Sequence, residues 1–338
     1  MILVSGATGL VGSHLLYQLA QTGAAIRALY RDADKIALTQ KVFSYYSDKA
    51  SDLMAPIEWV EADLLDLPKL TQAFDKVTKV YHCAAFISFD PRDYRKLRKV
   101  NIKGTANIVN LCIDFQVKKL CHVSSIASLG TQAEIIDEET ERNPNADHSV
   151  YAISKYGAEM EVWRGIEEGV AAVIVNPGII LGPGFWKSGS GRLIPQAYKG
   201  LPYYLGGSSG FVGVKDVVRA MCLLMESPAN RSRFIITAST LSFEKFNKIL
   251  ATALGSKPPK KEISKWGLEM GWRLDWLRQK MSGKPRRLTK NFARTSPLKL
   301  TYSNQKLCDY LGDFHFTPIP EVLQETTAFF LKELEEKP

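Results

Sequence analysis

Tyr151 and Lys155 stand four residues apart in Tyr151-Ala152-Ile153-Ser154-Lys155. On a helix such residues share a face, so a phenol and an ammonium project into one space. A positive charge beside a phenol favours the phenolate and lowers its pKa, giving a proton donor or acceptor usable near neutral pH. Surface Tyr–Lys pairs are common, so the pair takes its meaning from its company. Ser124-Ser125 follows the apolar run Lys119 to Val123. A hydroxyl there would sit at the carboxyl edge of a sheet, able to hold a carbonyl or alcohol, or merely to turn the chain. The third feature is Gly6-Ala7-Thr8-Gly9-Leu10-Val11-Gly12, after the strand-like Met1-Ile2-Leu3-Val4 and before the helix-like Ser13 to Ala20. A strand that ends in glycines and turns into a helix aims backbone N–H groups at a phosphate, and the helix dipole adds to the attraction. Gly6 suits the tight turn, Gly9 the close approach of a pyrophosphate, and Gly12 the packing of helix on strand. In this context the pattern reads as a dinucleotide site.

These groups need a scaffold that brings residue 6 near residues 125 and 151. The first two-thirds of the chain alternates apolar runs with helical patterns, as βαβ units do. Strands are expected at Ile2–Ser5, Ala25–Tyr30, Ile57–Glu61, Lys79–Cys83, Lys119–Val123, Ala171–Val175 and Arg233–Thr237. Their Val/Ile content suits strands buried on both faces. Helices are expected over about Asp93–Phe115, Val150–Glu168, Val214–Glu226, Ser242–Leu254 (Ser242 as N-cap), 262–281 and Glu321–Leu334. The fold class is therefore α/β: a Rossmann-type, doubly wound parallel sheet with a smaller mixed C-terminal substrate lobe. The division falls near residue 176, with 1–176 binding dinucleotide and 177–338 mainly a substrate lobe. The 214–226 helix and the 233–237 strand return to the sheet. Trp266, Trp272 and Trp276 are expected in the core of the small lobe, or else as an apolar wall over substrate or a membrane-touching surface.

Composition narrows the class further. With 338 residues, 45% hydrophobic and 23% charged, the chain has the make-up of a globular protein and no run of membrane-span length. The first strand leaves no room for a cleavable leader, and five cysteines, with Cys83 and Cys121 in apolar strand-like runs and Cys112 in a helical pattern, fit reduced thiols, so a cytoplasmic location is expected. No Cys/His spacing resembles a metal site. The net charge of +9 is partly local, in Lys257, Lys260 and Lys261, and in Arg278, Lys280, Lys284, Arg286, Arg287, Lys290 and Arg294. A solvated basic face is the ordinary reading of such clusters, and no nucleic-acid partner is expected.

Taken together the motifs resemble those of the extended short-chain dehydrogenase/reductase family, of the NAD-dependent epimerase/dehydratase kind, over nearly the whole chain. Within it, Phe86-Ile87-Ser88-Phe89 and the 266–294 stretch look most like the dihydroflavonol-reductase and 3β-hydroxysteroid-dehydrogenase branch. The resemblance makes Ser125, rather than Ser124, the substrate-oxygen donor, Tyr151 the acid/base, and Lys155 its electrostatic support and ribose ligand. It implies cofactor contacts from Gly6, Thr8, Gly9, Leu10, Val11, Gly12, Arg31, Asp63, Leu64, Ala84, Ala85, Asn101, Tyr151, Lys155, Pro177 and Ile179. Substrate contacts are expected from Phe86, Ser88, Phe89, Asn176, Phe185 and Trp186, with Tyr203 and Tyr204 as further aromatic candidates. Arg31 directly follows the second strand, where a guanidinium can grip a 2′-phosphate, so NADP(H) is preferred; Asp32 leaves NAD(H) open. The chain departs from the family at Phe211-Val212-Gly213-Val214, where an aspartate is often found and only the later Asp216 remains.

The implied activity is interconversion of a ketone and a secondary alcohol by hydride transfer. A nucleotide-sugar epimerase or dehydratase with retained cofactor, and a non-catalytic dinucleotide sensor or scaffold, are the alternatives. A small-molecule carbonyl, alcohol or nucleotide-sugar substrate is expected, and a homodimer through the helices near 93–115 and 150–168.

Overall fold

In the computed structural model, which describes residues 1–283, 286 and 288–336, seven parallel strands form one sheet. They are β1 (Ile2–Ser5), β2 (Ile26–Tyr30), β3 (Glu58–Glu61), β4 (Lys79–His82), β5 (Lys119–Val123), β6 (Ala172–Pro177) and β9 (Ser232–Ile236), in spatial order β9-β6-β5-β4-β1-β2-β3. Each expected strand is present, within a residue or two at its ends. All of β5 and β6 is buried, as strands covered on both faces must be. The order reverses between β1 and β4, and the crevice at the carboxyl ends there is where such sheets take ligands.

Helices cover both faces. Leu15, Leu16 and Leu19 of α1 (Leu10–Ala20) pack on one side with Val217, Met221 and Leu224 of α4 (Val214–Glu226). On the other, Ile108 and Leu111 of α2 (Gly104–Asp114) meet Val162 and Ile166 of α3 (Val150–Glu167). The helix expected over Asp93–Phe115 is not uniform. A short α segment, Tyr94–Leu97, leads into a π turn, Arg98–Lys103, before α2 begins. Such wide turns have no signature in apolar spacing, and they cluster at functional sites.

The lobe contains a three-stranded sheet of β7 (Ile179–Leu181), β8 (Ser208–Gly213) and β10 (Ser239–Ser242), with β8 in the centre. Its core joins Phe211, Phe246 and Leu250 of α5 (Phe243–Ala253) to Leu323 and Phe330 of α7 (Ile319–Glu335). Ser242 caps α5, accepting from the Lys245 N–H at 3.2 Å. Asp216 is buried and accepts from the Thr317 N–H at 2.7 Å and the Thr317 hydroxyl at 3.2 Å, so it ties α4 to the approach of α7.

One expectation fails in the lobe. Helix α6 (Lys265–Ser282) forms, but its tryptophans are not core residues: Trp266 is 74% exposed and Trp276 38%. The helix buries Leu268 and Gln279 and turns much of its apolar surface outward. Lys284 and Arg287 of the basic cluster lie outside the described residues.

Candidate active site

The glycine loop is built by close approach of backbones. Gly6 has φ of +68°, and a Cβ there would come within 2.6 Å of the Ala84 backbone nitrogen. A Cβ on Gly12 would stand 2.2 Å from the Gly6 carbonyl oxygen. Only hydrogen at both positions lets β1, α1 and the end of β4 meet. The Gly9 N–H donates to the Gly6 carbonyl at 3.0 Å, and α1 starts at once with Gly9 as its N-cap. Gly9 offers no side chain to the first-turn N–H groups, which lack intrahelical partners by construction. Bare backbone donors at a sheet's switch point fit a dinucleotide phosphate. Thr8, Leu10 and Val11 lie on this same turn.

Arg31 and Asp63 lie just past β2 and β3, and their side chains pair across 3.4 Å, with Arg31 exposed and Asp63 half-buried. Asp63 also accepts from the Leu65 N–H at 2.8 Å, and the Leu64 carbonyl accepts from Asn107 at 2.7 Å. Ala84 and Ala85 continue β4 beside Gly6. Pro177 closes β6 and Ile179 opens β7.

Ser125, Tyr151 and Lys155 gather at the neighbouring strand end. Ser149 caps α3, accepting from the Ala152 N–H at 3.1 Å, and so places Tyr151 in the first turn. Ser125, just past β5, stands near enough to the Tyr151 phenol to favour its anion, and accepts from the Ala127 N–H at 3.1 Å. The Lys155 ammonium is buried and donates to the Val123 carbonyl at 2.7 Å. The Phe89 ring lies 5.3 Å from that of Tyr151. Ser125, Tyr151, Lys155 and Phe89 therefore converge from three separate segments.

The electrostatics differ from the expectation that the ammonium lowers the phenol. Burial pushes Tyr151 up to about 12, against the nearby Ser125 hydroxyl that favours its anion. Burial also holds Lys155 down to about 8, opposed by Glu159 and Cys83. Withdrawal from water governs both groups, and the attraction that the i, i+4 spacing promised is not among the influences on the phenol.

A buried network missed by motif reading stands behind the trio. Glu159, fully buried, accepts from Ser124 at 2.6 Å, Ser128 at 2.8 Å and Asn176 at 2.9 Å, and pairs with Arg233 at 3.1 Å. It joins β5, β6, β9 and α3. Its signal in the sequence was the repeat of four from Tyr151 through Lys155 to Glu159, a third polar residue on one helical face. Beside it, the neutral His82 ring bridges Ser5 at 2.6 Å and Thr105 at 2.9 Å. Burial drives His82 down to about 3 and His14 to about 4, and lowers His122 strongly.

Several expected contacts are engaged within the protein. The Asn101 side chain, on the π turn, accepts from the Phe86 N–H at 2.7 Å and donates to the Phe86 carbonyl and Ser154, both at 2.9 Å. It thereby holds the 84–89 loop. Asn176 donates into the Glu159 network, and Ser88 donates to Asp93 at 2.6 Å. Phe86 lies under the Lys96 ammonium. Phe185 is buried at the start of the lobe's loop. Trp186 donates to Glu333 at 2.9 Å and packs on Phe330, so it belongs to the seam with α7. Tyr203 and Tyr204 form a two-residue strand paired with Lys261–Glu262.

The sequence profile of the NAD dependent epimerase/dehydratase family matches residues 2–236. The chain is 28% identical over 268 residues to sterol demethylase protein B of Methylococcus capsulatus, covering 77% of this chain and 76% of that protein. It is 25% identical over 264 residues to dihydroflavonol 4-reductase of Dianthus caryophyllus, covering 74% and 72%. Among solved structures, the crystal structure of gox2253 is similar at 26% identity and a TM-score of 0.81, over 98% of both chains.

Proposed function

This chain belongs to the NAD dependent epimerase/dehydratase family, and on that premise we propose that it is an NADP(H)-dependent reductase of a small ketone. The observation that carries the reading is the convergence of Ser125, Tyr151 and buried Lys155 at the carboxyl end of β5, with the Phe89 ring against that of Tyr151. Gly6 and Gly12 let β1, α1 and the end of β4 meet, and Gly9 caps α1 without a side chain, which supports a dinucleotide phosphate at the first-turn N–H groups. Bound there, the nicotinamide supplies hydride transfer. The chain's own part is placement and the proton. Ser125 holds the substrate oxygen, and Tyr151 gives that oxygen its proton. A phenol raised to about 12 holds its proton at neutral pH, the form that can give a proton to a substrate oxygen. Lys155, charged below about 8, stabilises the phenolate left behind.

The dihydroflavonol reductase among the relatives supports a ketone substrate. Exposed Phe89 beside Tyr151 supports a ring-bearing or partly apolar one. Arg31, at the open end of β2 and paired with half-buried Asp63 at 3.4 Å, supports NADP(H). A homodimer through α2 and α3 is carried forward on the resemblance alone, and a monomeric mass in solution would refute it.

The deciding experiment is Tyr151→Phe assayed with a panel of aromatic and alicyclic ketones. The variant should bind NADPH as before and lose about 10²–10⁴-fold in turnover. Retained activity overturns the mechanism. Turnover of nucleotide sugars without net cofactor use overturns the reductase reading instead.

A further inference from the structure

We propose that α6 docks the protein on an anionic membrane surface. Residues 257–294 hold 12 of the 44 basic residues and 3 of the 35 acidic ones, a balance of +9, which is the net charge of the entire chain. The other 300 residues are neutral in sum. All the excess charge thus falls in the stretch of sequence that contains α6.

That helix faces the wrong way for an ordinary surface helix, which hides its apolar stripe. Trp266, Met270, Leu274, Leu277 and Met281 recur at steps of four or three, so they form one stripe along about 22 Å. All five are exposed, Leu274 by 61% and Met281 by 81%. The polar side is turned inward instead. Asp275 accepts from the Leu288 N–H at 3.0 Å, and buried Gln279 accepts from Arg286 at 2.5 Å. Lys265, Arg273 and Lys280 stand exposed beside the stripe. An apolar stripe rimmed by cations is how a helix lies in the interface of an anionic bilayer, its apolar face among acyl chains and its charges among headgroups. A second copy of this chain would bring two cationic rims together, which opposes self-association through this face. A nucleic acid would have no use for five exposed apolar side chains. Among the described residues no helix is long and apolar enough to cross a membrane, so the contact lies on the surface.

The helix is also tied to the loop beside Tyr151. Arg92 donates to the Gly283 carbonyl at 3.4 Å, and Asp90 accepts from the Arg286 N–H at 3.2 Å. Docking through α6 would therefore set the Phe86–Asp93 loop close to the lipid boundary.

The test is co-sedimentation of the full chain with phosphatidylcholine vesicles, with and without phosphatidylglycerol. Binding should need the anionic lipid and weaken as salt rises. The combined Trp266→Ser, Leu274→Ser and Met281→Ser variant, checked for folding by circular dichroism, should lose affinity by at least about tenfold. With the unsubstituted chain, brominated lipid in anionic vesicles should quench tryptophan fluorescence. Absence of binding at low salt, absence of quenching, or equal binding by the variant overturns the proposal. A concentration-dependent dimer that the variant dissolves, without vesicle binding, assigns the face to a second copy and also overturns it.

Discussion

Lys155 bears on stability as well as on the proposed chemistry. In the folded chain it gives up its proton near pH 8, against an ordinary value near 10.5. Between those values the unfolded chain binds more protons, so stability rises with pH across that window. The gain is roughly 3 kcal/mol at one unit per 1.36 kcal/mol. Lys155→Met should lack it, and urea unfolding at pH 7.5, 9 and 10.5 would compare the two slopes; parallel slopes would contradict the buried charge. Arg31 makes the complementary case at the surface. Arg31→Asp places a carboxylate where a 2′-phosphate is proposed and should lower kcat/KM for NADPH by about tenfold or more while sparing NADH. An unchanged ratio removes Arg31 from cofactor choice. Tyr151 and Lys155 were legible because i, i+4 spacing is local, whereas their proton affinities were not. Those depend on burial by segments far away in the chain.

At the level of elements, the strands and most helices were legible because burial on both faces writes continuous Val/Ile runs, and on one face an apolar stripe. What escaped was geometry that leaves no such trace. The π turn at Arg98–Lys103 has a helical composition, and only the structure shows that it aims Asn101 at the Phe86 backbone. The α6 tryptophans misled because an apolar stripe reports amphipathicity and says nothing of which side the protein covers. The α1–β1 contact gives a sharp test. Gly12→Ala would set a methyl 2.2 Å from a backbone carbonyl that cannot swing aside. It should cost about 1–3 kcal/mol by overpacking and, by lifting α1 from β1, weaken NADPH binding by more than about tenfold. Fluorescence titration and urea unfolding would measure both. Normal binding by Gly12→Ala would mean the loop is not the phosphate cradle.

For the molecule as a whole, buried carboxylates tie separate elements together. Asp216 does for α4 and the Thr317 segment what Glu159 does for β5, β6 and β9. The missing aspartate of the Phe211–Val214 stretch is thus answered by one three residues further on, committed to holding the C-terminal helix in place. Three rings add a less forgiving property. His14, His82 and His122 are sealed in without charge, and an unfolded chain would protonate each of them near 6.5. Every such imidazole costs the native state about 1.4 kcal/mol for each pH unit below that point, until its own depressed value is reached. Urea midpoints taken from pH 7 down to 5 should fall steeply, and a flat profile would show the rings to be accessible. The chain thereby carries an acid limit on its working range, set by three sealed rings that the proposed chemistry does not use.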